Sequence, residues 1–137
     1  MTPAFATARP AAVPDAIAPD GSEVRLLAAL KGGSFAHFTL PAGAVSKAVV
    51  HASVDEIWYF LSGEGAMWRA ADGHEKIEPI RAGHCVAIPA GTKFQFRADR
   101  EAPLAFVAVT MPPWPGEAEA TLVEGVWPEI AQKTPAA

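Results

Sequence analysis

His51 and Glu56 lie five positions apart in His51-Ala52-Ser53-Val54-Asp55-Glu56, which runs directly into the apolar stretch Ile57–Leu61. In apolar surroundings, burial and mutual attraction move the proton affinities of an imidazole and a carboxyl, and such a pair can exchange a proton with a bound molecule. The two are therefore candidate catalytic residues for general acid–base work. Side chains alternate along an extended chain, so Glu56, Trp58, Phe60 and Ser62 share one face. Phe94, Phe96 and Ala98 share a face in the same way, which puts Gln95 and Arg97 on an outer face or rim, with Arg97 in a surface salt bridge. The remaining reactive side chains read as bland. His37 is satisfied by a hydrogen bond or faces solvent, and His74 and His84 sit beside turns in solvent. Cys85 opens an apolar run with no activating base beside it and reads as a small core residue.

The elements that must position these groups are short. Apolar runs of strand length, bounded by Gly, Pro and Asp, predict strands near Val24–Leu30, Phe35–Leu40, Lys47–His51, Ile57–Ser62, Ala66–Ala70, Glu75–Ile80, Cys85–Ile88, Lys93–Ala98 and Leu104–Met111. Asp72-Gly73 is a hairpin signal, since both residues tolerate the positive φ of tight turns. Helical periodicity is absent except for one short turn within Pro115–Val123. Met67 and Trp68 read as core or dimer-face residues. Many short strands must bury their edges, which one chain achieves as a sandwich or a closed barrel.

Composition divides the chain into three zones: an Ala/Pro-rich arm over 1–21, an all-β body over 22–111 and a Pro/Trp-rich tail over 112–137. At 137 residues the chain is one domain. A net charge of -4 leaves no electrostatic footprint for nucleic acid, and no basic stripe suits a membrane surface. Prolines at 3, 10, 14 and 19 interrupt the leading stretch, against a secretory signal and for an extended arm or floppy leader. One cysteine allows no internal disulfide, which fits a cytoplasmic protein. Trp114 and Trp127 make the tail too apolar for a solvated coil, so it is expected to pack on the barrel or on a second subunit.

Two spacings resemble the cupin family. Its first motif places a histidine pair and a glutamate between two glycines; here Gly43 is followed by five residues, Val49, Val50, His51, four residues, Glu56, six residues and Gly63. Its second motif runs Gly, Pro, Gly, His, Asn; here Gly83, Pro89, Gly91, Phe94 and Ala98 keep every interval. Val49 and Phe94 thus stand where the family has ligand histidines. The resemblance covers about residues 25 to 111 and implies a cupin-type jelly-roll β-barrel, commonly dimeric.

It also implies that Glu56 points into the barrel, with Trp58, Phe60, Phe94 and Phe96 lining an aromatic pocket. The family's cofactor is a divalent transition metal held by three histidines and a glutamate. Only His51 and Glu56 remain as ligands here, with His37 the remaining candidate for a third, so any metal is weakly held or absent. Three functions stay open, in this order: a small-molecule-binding barrel organised by His51 and Glu56, with or without metal-independent chemistry; a metal-dependent isomerase, lyase or dioxygenase; and a filled structural or regulatory scaffold.

Overall fold

The structure, a computed structural model, describes residues 4–130. The outermost residues of the arm and the tail, 1–3 and 131–137, lie outside it. Eleven strands run in chain order: β1 (Ala16–Ile17), β2 (Glu23–Leu30), β3 (Gly33–Leu40), β4 (Val49–His51), β5 (Asp55–Ser62), β6 (Glu64–Ala71), β7 (His74–Arg81), β8 (Cys85–Ile88), β9 (Lys93–Ala98), β10 (Leu104–Met111) and β11 (Ala120–Leu122). They form a six-stranded sheet in the order β1-β2-β3-β10-β5-β8 and a five-stranded sheet in the order β11-β4-β9-β6-β7. Every pairing is antiparallel. This is the jelly roll that the glycine–proline spacings imply.

Alternation decides what each strand buries. Glu56, Trp58 and Phe60 of β5 face inward while Ile57, Tyr59 and Leu61 stay exposed. Leu104, Phe106, Ala108 and Thr110 of β10 point into the same interior. Its centre is an aromatic stack: Trp58 lies 4.1 Å over Phe106, Phe38 covers Phe106 at 5.1 Å, and Phe96 meets the Trp58 ring edge-on at 5.0 Å. Met67 joins this core at 1% exposure.

One turn and one close approach of two strands show why glycine is needed in this body. Asp72 (φ 51°) and Gly73 (φ 78°) join β6 to β7 in the expected hairpin. At Gly65 a Cβ would lie 1.9 Å from the Arg97 carbonyl oxygen, so β6 and β9 pair this closely only because there is no side chain.

Several expectations are corrected by which faces are covered. Cys85 is exposed, not a core residue, because β8 buries Val86 and Ile88 and alternation turns the thiol outward. Gln95 does point away from the aromatic core, yet it is 2% exposed because the tail closes over it. Its amide donates to the Ser46 and Trp127 carbonyls and accepts from the Val126 and Trp127 amides, at 2.8–3.0 Å. Arg97 makes no surface salt bridge among the described residues; its guanidinium sits 4.9 Å over the Trp127 ring. Trp68 is buried and donates its indole N–H to Glu75 at 2.8 Å.

The arm and tail both join the sheets. β1 pairs with β2, the Asp15 carboxylate accepts the Leu26 amide at 2.8 Å, and Asp20 is 7% exposed. The short turn of helix falls at Glu117–Glu119, and β11 follows it to pair with β4, placing Ala120 opposite His51.

Candidate functional site

Glu56 is the second residue of β5, between Thr110 of β10 on one side and Ile88 of β8 on the other. Its Oε1 accepts the Trp58 indole N–H at 2.8 Å and its Oε2 accepts the Thr110 hydroxyl at 2.9 Å. His51 ends β4, and its ring meets Phe94 and Trp114 edge-on at 5.2 and 5.0 Å. The two residues do come together: His51 Nδ1 lies 3.9 Å from Glu56 Oε2, with residue exposures of 6% and 5%.

That separation is too long for a hydrogen bond. Burial pushes the His51 imidazole below its ordinary value and pushes the Glu56 carboxyl above its own, although the bonds from Trp58 and Thr110 pull Glu56 partly back. His51 Nδ1 has no hydrogen-bond partner among the described residues.

Above the pair opens a cavity of about 340 Å³, bordered by residues 16–20, β2, β3 and the tail. Asp20, Val24, Phe38 and Trp114 wall it, with His51, Glu56, Trp58 and Thr110 at its floor and Glu117 at its rim. Asp20 adds a second buried carboxyl. Burial raises its pKa, against the opposing pull of Ser22, whose amide and hydroxyl both bond Oδ1. Behind the site, Glu119 accepts the Ser53 hydroxyl at 2.7 Å and the Val54 amide at 2.9 Å. Those bonds, led by the Ser53 amide, hold its carboxyl below the ordinary range.

Of the four aromatic residues expected at the pocket, Trp58 borders the cavity. Phe60, Phe94 and Phe96 are 0% exposed and belong to the core beneath it. The inward faces are as the alternation predicts, but the six-stranded side of the barrel is open while the Phe94–Phe96 side is filled. Asp20, Thr110, Trp114 and Glu117 were not singled out from the sequence. Thr110 carried a signal, as the lone hydroxyl on the inward face of β10; Asp20 lay within the arm, and Trp114 read only as packing.

A scan against protein families matches the cupin domain over residues 36–110, more than half of the chain. This chain belongs to the cupin family. Solved structures agree on its fold. An uncharacterized conserved protein with a double-stranded β-helix domain from Klebsiella pneumoniae is 19% identical, over 85% of this cupin and 90% of that chain, with a TM-score of 0.61. A Bacillus halodurans protein is 20% identical over 69% and 73%, with a TM-score of 0.62. A predicted oxalate decarboxylase from Thermotoga maritima is 26% identical over 66% and 80%, with a TM-score of 0.56. A search of curated proteins finds no match.

The cupin metal centre does not fit the residues present. Val49 and Phe94, paired across β4 and β9, are both 0% exposed and have no lone pair to offer. His37 is no third ligand: it pairs with Val107 and faces outward, on the opposite side of β3 from Phe38. Among the described residues no three His, Cys, Asp or Glu side chains converge on a metal position. No described helix is long and apolar enough to cross a membrane.

Proposed function

We propose that this cupin binds a small organic molecule in the cavity above His51 and Glu56, and does so without a metal. The observation that carries the reading is the unpartnered Nδ1 of a 6%-exposed histidine at the floor of a cavity of about 340 Å³. A buried polar atom left unsatisfied costs about 1–3 kcal/mol, which a ligand's hydrogen bond would recover. The open volume speaks against a filled scaffold. Thermal-shift screening of small aromatic and alicyclic compounds in the presence of a chelator tests it. Compounds that raise the Tm of the wild type, but not of His51→Ala or Trp114→Phe, support the site; hits that stabilise all three proteins equally sink it.

A second reading is a metal-independent acid–base enzyme. Its support is that burial lowers the proton affinity of His51 and raises that of Glu56, drawing the two together in one cavity, as proton exchange between acid and base requires. Turnover of any ligand found above, lost in Glu56→Gln with binding retained, would favour catalysis over binding alone.

The family expectation of a homodimer gains support from the outer face of the six-stranded sheet. Phe35, Ile57, Tyr59 and Leu61 there are 40–48% exposed, beside Val107 and Val109. These residues lie on three adjacent strands, β3, β10 and β5, about 4.8 Å apart, and together make a mostly apolar face of the kind that marks interfaces. A second copy supplies the matching apolar surface through a two-fold axis. Sedimentation should give twice the chain mass for the wild type and the single mass for Tyr59→Glu; a monomeric wild type would refute the pairing. The exposed Cys85 thiol suits a reducing compartment, which supports a cytoplasmic location.

A further inference from the structure

We infer that the cavity is built for an organic amine with a compact apolar body, and that it discriminates against carboxylates. The inference rests on the cavity being a ligand site and goes on to name the ligand's chemistry.

The lining has a single sign. Its ionisable side chains are Asp20, His51, Glu56 and Glu117, and neither lysine nor arginine is among them. An anion entering this space would lose its hydration and find no counter-charge, which is the costliest arrangement a buried charge can have. An ammonium meets the opposite situation. Glu56 accepts one hydrogen bond at each oxygen, so half of the roughly four lone-pair sites of the carboxylate remain for a third donor. Both donors from Ser22 fall on Asp20 Oδ1, which leaves Oδ2 without a partner among the described residues.

The carboxyls alone would not make a site. The independent sign of a ligand is His51, nine-tenths buried, bordering the same cavity and carrying the unpartnered Nδ1. As a neutral imidazole it carries one N–H donor and one acceptor nitrogen, and Nδ1 meets an ammonium donor when the proton sits on Nε2. The walls agree. Trp58 and Trp114 present π systems, which attract a cation and repel an anion. Phe38, Val24 and Ala36 leave room for an apolar body rather than a second polar group. A cation seated here also relieves the burial that raises both carboxyls, by giving their ionised forms a partner.

Benzylamine, benzyl alcohol and benzoate share one ring and differ in the group they present. Their binding to the full chain at neutral pH, measured by titration calorimetry, tests the inference. One charge-assisted contact predicts benzylamine binding about tenfold or more tighter than benzoate, with the alcohol between them. Glu56→Gln and Asp20→Asn should each weaken benzylamine more than benzyl alcohol and so shrink the amine-to-benzoate ratio. Benzoate binding as well as benzylamine, or the alcohol alone binding, would overturn the amine assignment while the cavity remains a ligand site. A preference for amine that survives in both variants would also overturn it, since the overall charge of -4 would then be its source. Binding of none of the three would overturn both this inference and the ligand-site reading.

Discussion

Gln95→Ala should cost this protein a large share of its stability, although the residue lies on the side of β9 that the sequence assigns to solvent. The side chain joins three parts of the chain: the Ser46 carbonyl ahead of β4, β9 itself, and the tail at Val126 and Trp127. Removing it leaves four backbone groups without their partner. Ser46 is 2% exposed, so its carbonyl stays dry and loses about 1–3 kcal/mol. The three groups on the half-exposed tail regain water, and each loses about 0.5–1 kcal/mol net. The total is about 2.5–6 kcal/mol, against the roughly 5–15 kcal/mol that holds a domain folded. Urea unfolding followed by tryptophan fluorescence measures it. If the tail detaches in the native state, the m-value falls as well, because less surface remains to be exposed. Gly125→Ala supplies a control. A Cβ there would lie 2.3 Å from Gln95 Oε1 and 2.8 Å from the Ala48 Cβ, so the substitution should cost less in the Gln95→Ala background than in the wild type. A loss under about 1 kcal/mol with an unchanged m-value would refute the view that this amide docks the tail.

Three further outcomes follow from the geometry. Phe106→Ala removes the ring between Trp58 and Phe38 at 0% exposure, and should cost about 3–5 kcal/mol in the same urea assay. Gly65→Ala drives a Cβ onto the Arg97 carbonyl and should prevent β6 and β9 from pairing, read as loss of soluble folded protein or of native circular dichroism. The third concerns pH. The raised carboxyl of Glu56 contributes stability below its ordinary value of 4.5 and loses that contribution as pH rises through the folded value. Glu56→Gln lacks this loss, so it should gain on the wild type as pH rises above about 4.5, and a difference constant with pH would contradict the burial argument. His51 acts in the other direction, its contribution being lost as pH falls below 6.5 and through its lowered value, and it does so in both proteins.

Local spacing determines local geometry, and here it carried far. The turn glycines, the Asp72-Gly73 hairpin, the inward alternation of Glu56, Trp58 and Phe60, and the replacement of ligand positions by Val49 and Phe94 are all legible residue by residue. Each depends only on backbone conformation or on a period of two. Whether an outward face meets water depends instead on what crosses it from far along the chain. Gln95 is dry because residues 125–127 lie over it, and Cys85 is wet because among the described residues nothing comparable lies over β8. The site divides the same way. The pairing of His51 with Glu56 could be read from the spacing, since both lie on strands of a recognisable frame. Asp20, Trp114 and Glu117 could not, because they reach the cavity from the arm and the tail, separated from His51 by 31, 63 and 66 positions. Only the closed barrel brings these segments together, and with them come the cavity's volume and its acidic lining.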